Sequence, residues 1–263
     1  MVNYHNHTPF CGHATGELDE YIQKAIENHI IEFGFSDHAP ISAHIRDGIT
    51  MSPEQMPEYI KSILSKKEEY KDRIEIKLGL EIDYPIFDSF DKKYLIDPVI
   101  DYIIGSCHYI EGWGFDNPAE MHKFVELNID EVYLAYYNAL ESIVDSGFCD
   151  IIGHFDLIKK FGHRPAANMN DVVRRIAKKM AKKNITAEVN TSGLKKPVNE
   201  IYPSDEILAI FFEENVPVTL GSDSHSPDDV CSGYSVAIEK LKRTGYRKVS
   251  GFTMRKRHDI LFG

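Results

Sequence analysis

Short runs of apolar, largely β-branched residues alternate along this chain with longer stretches in which apolar positions recur every three or four residues. The runs at 2–7, 31–36, 74–82, 101–107, 150–154, 185–190 and 217–222 read as strands, apolar on both faces as buried parallel strands are. The stretches 17–28, 53–70, 130–146, 169–183 and 204–214 read as helices. Ser52-Pro53-Glu54 predicts an N-cap with proline at the first helical position, and Ser204-Asp205-Glu206 predicts a cap with acid in the first turn.

Strands alternating with helices imply a mostly parallel sheet covered by helices. Seven strands, with a weak eighth near 248–252, predict an α/β fold closed into a distorted (β/α)7 barrel, TIM-barrel-like. An open doubly wound sheet is the alternative, disfavoured because its usual Gly-rich phosphate loop does not follow the first strand. No repeat, low-complexity tract or linker divides the chain, so residues 1–263 are expected to form one domain.

Composition narrows the partners. Forty-one acidic against 30 basic residues give a net charge of −11, the wrong sign for non-specific nucleic-acid binding. No apolar run is long enough for a membrane span, and the first residues lack the pattern of a signal peptide. Cys11, Cys107, Cys149 and Cys231 are scattered, as reduced thiols are, so a cytoplasmic location is expected.

The chemistry gathers at the strand ends. The first strand ends in His5-Asn6-His7, with His13 just beyond; the second ends in Asp37-His38 and the third in Glu81-Ile82-Asp83. The fourth ends in Ser106-Cys107-His108, the fifth in Gly153-His154, the sixth in Glu188-Val189-Asn190 and the seventh in Asp223-Ser224-His225. Barrel enzymes build their active sites on that rim. Residues two apart in a strand point the same way, so His5 with His7, and Asp223 with His225, are expected to converge. Asp37 and His38 face opposite ways, and His38 is taken as the ligand. Imidazoles and carboxylates without a well-placed thiolate suit zinc, iron or manganese in a catalytic centre. One histidine alone is more often structural, and His29, His44, His122, His163 and His258 are read that way. Coincidence across so many strand ends is what argues for a metal cluster.

These residues resemble the polymerase and histidinol phosphatase (PHP) superfamily, in order and over nearly the whole chain. Its hallmarks correspond here to His5-Asn6-His7, His13, His38, Glu81, His108, His154 and Asp223-Ser224-His225. The stretches at 5–13, 105–109, 112–116 and 153–161 are similar to stand-alone histidinol-phosphate phosphatases. The resemblance implies a distorted seven-stranded barrel of the PHP type and three divalent ions, zinc, iron or manganese. One ion would be held by His5, His7, Glu81 and Asp223, a second by His13, His38 and His154. A third would take His108 and His225, with Glu81 bridging it to the first. Glu81, Asp223 and His225 would then act directly in hydrolysis of a small phosphate monoester, histidinol phosphate, in histidine biosynthesis.

The chemistry expected is direct attack by a water between two metals, because no nucleophilic side chain is singled out. Lys159 and Lys195, among Lys160, Lys196 and Arg164, are expected to bind phosphate. The loop at 111–116, with Glu111, Asp116 and Trp113, is a candidate for the amine and imidazole of the substrate. A PHP-type phosphoesterase acting on nucleotides or other monoesters remains the alternative. An amidohydrolase would need a metal-bridging lysine where Glu81 stands, and a non-catalytic metal protein would be expected to have lost a ligand. The oligomeric state is open.

Overall fold

The computed structural model describes residues 1–41, 48–84 and 90–262; His44 lies outside these. Seven parallel strands form one sheet: β1 (Val2–Asn3), β2 (Glu32–Phe35), β3 (Glu75–Asp83), β4 (Tyr102–Ser106), β7 (Ile151–Ile152), β8 (Thr186–Asn190) and β9 (Val218–Gly221), in that spatial order. The sheet curls until its edges meet. Tyr4 N donates to Leu220 O at 2.9 Å, Asp223 N to His5 O at 2.8 Å and His7 N to Ser224 O at 2.9 Å. The predicted seven-stranded barrel is therefore the fold. β1 and β7 are only two residues long, shorter than their apolar runs, because the chain leaves the sheet early to turn side chains into the rim.

A small antiparallel ribbon, β5 (Tyr109–Ile110) and β6 (Trp113–Gly114), rises after β4. The weak eighth run is β10 (Lys248–Thr253), but it pairs antiparallel with β11 (Lys256–Leu261) and stays outside the barrel. This hairpin covers the base. Phe252 packs edge-on against Tyr4, with ring centroids 5.7 Å apart, and Phe252 N donates to Tyr4 Oη at 2.8 Å. Inside the barrel, Tyr102 lies 4.7 Å from Tyr4 in the same geometry and donates to Tyr4 O at 2.5 Å. A Cβ at Gly34 would meet the Tyr102 hydroxyl at 2.2 Å and one at Gly79 the Tyr102 ring at 2.2 Å, so both strands need glycine there.

The helices are α1 (Leu18–Glu27), α2 (Met56–Glu69), α3 (Lys123–Glu126), α4 (Ile129–Ser146), α5 (Asn170–Lys183), α6 (Asp205–Glu213) and α7 (Tyr234–Thr244). α4 buries Val132, Tyr133, Tyr136, Tyr137, Leu140, Ile143 and Val144 at helical spacing and stops at Gly147, whose φ is 69°. Ser204 caps α6 as expected, accepting from Ile207 N. Ser52 does not cap α2. That helix starts at Met56 with Pro57 in its first turn, and Gln55 folds back to accept from Ser52 N at 2.8 Å. Among the described residues, no helix is long and apolar enough to cross a membrane.

Candidate metal centre

Each rim side chain is placed by the strand before it. Glu81 is fixed in β3, its N–H donating to Asp37 O and its carbonyl accepting from Ala39 N. Its carboxylate, 1 % exposed, stands at the centre of the barrel mouth. Glu81 Oε2 lies 3.3 Å from His5 Nε2, 3.6 Å from His7 Nε2 and 2.8 Å from His38 Nδ1. Glu81 Oε1 lies 3.1 Å from His154 Nε2 and 3.9 Å from His108 Nε2, and accepts from Ser106 Oγ at 2.6 Å. Asp223 Oδ1 closes the group at 3.8 Å from His5 Nε2 and 3.3 Å from His7 Nε2.

Asp223 and His225 do not converge through strand pleat. Asp223 has left its strand and holds φ at 51°, a strained setting of the kind found at functional sites.

Three groups of potential ligands emerge, and their membership differs from the resemblance. His5, His7, Glu81 and Asp223 stand together as implied. His154, however, joins His108 at Glu81 Oε1, with ring centroids 4.9 Å apart. His225 joins His13 at 4.6 Å, and His13 lies 5.6 Å from His38. His154 and His225 thus exchange places. The barrel order explains it: β7 pairs with β4, so His154 faces His108, whereas His225 follows β9, which closes against the segment carrying His7 and His13.

Behind the inner ring stand carboxylates to which sequence reasoning gave no role. His5 Nδ1 lies 2.7 Å from Glu188 Oε1, and His108 Nδ1 lies 2.6 Å from Asp83 Oδ1. Asp37 accepts from Thr8 N at 3.1 Å and lies 3.5 Å from His7 Nδ1. Carboxylates that hold one imidazole nitrogen leave the other bare for a metal. The available signal was the strand period: Glu81 with Asp83, and Glu188 with Asn190, are inward positions two apart.

Buried negative charge governs the titration of this cluster. Burial opposes a charged His5, but Glu188, Glu81 and Asp223 outweigh it and hold the imidazole well above its ordinary pKa. Against the same burial, Asp223 and Asp37 raise His7 to about 9, and Asp83 with Glu81 raises His108 to about 10. Burial would raise Glu81 and Asp223, yet the histidines hold both well below the carboxylate range. His225 is pushed down to about 2 by burial and by His7. Cys11 Sγ lies within 4.8 Å of ligand atoms on His13 and His225, closer than its sequence context implied. Burial and Asp37 push this thiol up to about 12.

The donor set fits divalent metal. His5 Nε2, both His7 ring nitrogens, His38 Nδ1, His154 Nδ1 and Glu81 Oε2 are buried without a hydrogen-bond partner. Each such atom costs about 1–3 kcal/mol unless something compensates it, and imidazole with carboxylate is the set that zinc, iron and manganese take.

The other candidates lie further out. Lys159 donates to Glu200 Oε2 at 3.1 Å and to Ile201 O at 2.8 Å, and its ammonium pairs with Asp156 Oδ2 at 2.8 Å. Lys159 therefore sits behind Tyr202, 5.4 Å from its ring, rather than open to the cluster as expected. Lys195 is half exposed and paired with Asp229, and with Thr191, Ser192, Asp223 and His225 it lines a cavity of about 120 Å³. Lys160 donates to Asp116 O at 2.7 Å and Oδ2 at 3.1 Å, and Arg164 pairs with Glu200. Trp113 does not face the cluster. It is 7 % exposed and packs on Phe124 at 4.8 Å. His163 stacks on Phe124 and His258 pairs with Glu32, both outside the cluster.

The PHP domain profile matches residues 3–192. The chain belongs to the PHP family. A Deinococcus radiodurans protein named "Probable histidinol-phosphatase" is 38 % identical over 95 % of this chain and 96 % of its own length. The Bacillus subtilis histidinol-phosphatase is 27 % identical over 90 % of this chain and 97 % of its own. Among solved PHP structures, the histidinol phosphate phosphatase of Lactococcus lactis, complexed with zinc, L-histidinol and phosphate, superimposes with a TM-score of 0.82. It covers 98 % of both chains at 23 % identity.

Proposed function

We propose that this chain is a metal-dependent phosphatase that hydrolyses histidinol phosphate to histidinol and phosphate, a step of histidine biosynthesis. The observation that carries the chemistry is the ring of buried, unpartnered imidazole nitrogens around Glu81. The substrate follows from the relatives: proteins named histidinol-phosphatase align with nearly the whole chain, and the Lactococcus enzyme holds zinc, histidinol and phosphate.

We take the three ligand groups as three ion positions, for zinc, iron or manganese. Bound there, divalent ions supply positive charge for the ester oxygens and acidify a water for in-line attack. Glu81 and Asp223 contribute two fixed carboxylates, and Glu81 joins two of the groups. Lys195 borders the cavity beside His225, and its partner Asp229 is itself partly exposed, so it can exchange that carboxylate for phosphate. Lys159 can reach the ester only by giving up an acceptor, and Glu200, already shared with Arg164, is the replaceable one. Of the two carboxylates in the loop at 111–116, Asp116 is the one with a cation beside it, Lys160 Nζ at 3.1 Å. It is held low, against burial, by His108 and Lys160, which makes it the better partner for the substrate amine.

The test is phosphate release from histidinol phosphate, p-nitrophenyl phosphate and a nucleoside monophosphate, with metal analysis of the same sample. Histidinol phosphate should give the highest kcat/KM. A nucleotide hydrolysed faster would transfer the assignment to the broader phosphoesterase reading.

A further inference from the structure

Glu188 lies one layer behind the ligands, in the middle of β8, and is 1 % exposed. Its two oxygens face different groups. Oε1 is 2.7 Å from His5 Nδ1, while Oε2 accepts from His154 N at 2.8 Å and from Asn190 Nδ2 at 3.1 Å. The space it occupies is kept clear by glycine. A Cβ on Gly221 would stand 1.9 Å from Oε1.

We propose that Glu188 is a positioning residue that sets the metal-binding tautomer of His5 and, through its other oxygen, the backbone of His154. This rests on reading the cluster as a metal centre. An acceptor at Nδ1 keeps the proton there and leaves Nε2, which points at Glu81 and Asp223, bare. His154 is held at a φ of 21°, where few L residues rest, and its N–H is tied down by the same carboxylate. One side chain thereby orders a ligand in each of the two groups that share Glu81.

The role demands two acceptors, which glutamine does not have. With its oxygen toward His154 N–H, glutamine would present N–H to His5 Nδ1 and force the proton onto Nε2, the metal-facing atom. Turned the other way, its N–H₂ would oppose the His154 N–H, a donor the backbone cannot rotate away.

Glu188→Gln, Glu188→Asp and Glu188→Asn are compared with wild type by zinc titration against a chromophoric chelator, after melting curves show each to be folded. Glu188→Gln should weaken the zinc positions served by His5 and His154 by about 10–100-fold. The position at His13, His38 and His225 should be unchanged. Nitrogen NMR of the zinc-loaded variant should show His5 with its proton moved to Nε2. Packing alone would rank Gln above Asp; the acceptor role ranks Asp above Gln, and Asp above its isostere Asn should Glu188→Gln fail to fold. Zinc affinity equal to wild type in Glu188→Gln, or Asn equal to Asp, overturns the assignment. A wild-type protein that binds no zinc overturns the metal-centre reading itself.

Discussion

Glu81 is surrounded by five imidazoles, and both of its oxygens are committed to them. Glu81→Gln keeps the shape but turns one acceptor into a donor facing ring nitrogens that also need an acceptor or a metal. Metal content should fall, and kcat/KM should drop by roughly 10³-fold, about 4 kcal/mol of transition-state stabilisation. An active, fully metallated Glu81→Gln protein would reject its bridging role. Lys195 poses the opposite case, an exposed cation whose partner Asp229 is also partly exposed. Lys195→Ala should raise KM for the phosphate ester about tenfold while leaving metal content and the melting temperature unchanged. An unaltered KM would remove Lys195 from the phosphate site. At this scale the sequence discloses identity better than partnership. The histidines stand out because they recur at strand ends, but Asp83 and Glu188 look like any carboxylate in a strand. Their meaning comes from which imidazole lies across the barrel, a contact between residues far apart in the chain.

Strand β3 carries Glu81, and two residues earlier Gly79 makes room for the Tyr102 ring. The ring has little freedom to retreat, since its hydroxyl donates to Tyr4 O and its face meets Tyr4 edge-on. Gly79→Ala should therefore destabilise by about 1–3 kcal/mol through overpacking, read as a lower urea midpoint with unchanged slope. A midpoint equal to wild type would mean the barrel interior is looser than the 2.2 Å approach indicates. The alternation of strands and helices was legible because β-branched runs and helical periodicity are local. The start of α2 was not, since Gln55 folds back on Ser52 N in place of the Ser52 cap, a choice the local sequence does not announce. The run at β10 looked like an eighth strand because pairing direction leaves no mark in a short apolar segment. The exchange of His154 and His225 has the same origin. It follows from which strands are neighbours when the sheet closes, and only the closed barrel reveals that β9 lies against β1.

The whole molecule carries a net charge of −11, and part of that negative charge is locked inside the barrel mouth. Glu81 and Asp223, with Glu188, Asp83 and Asp37 behind them, need cations, and without metal those cations are protons on histidine. His7 is raised to about 9 and His108 to about 10, both above the ordinary value of 6.5. Their contribution to the stability of the metal-free fold is thus complete below 6.5 and is lost as the pH climbs through about 9 and about 10. Metal binding runs the other way, because each ion must displace those protons and so binds more tightly as they leave. His225, pushed down to about 2, is already neutral, and His13 is lowered too, by burial and by the neighbouring histidines, so neither has a proton for an incoming metal to displace. The chelator-treated protein should lose melting temperature between pH 7 and pH 9.5, while the manganese-loaded protein holds steady, so the gap between them widens. At a hundredfold excess over Kd one ion adds about 2.7 kcal/mol, which in a chain of this size moves the melt by several degrees. Scanning calorimetry of both forms across that range decides it. A gap that stays constant or narrows with rising pH would show that protons and metal do not compete for the same imidazoles.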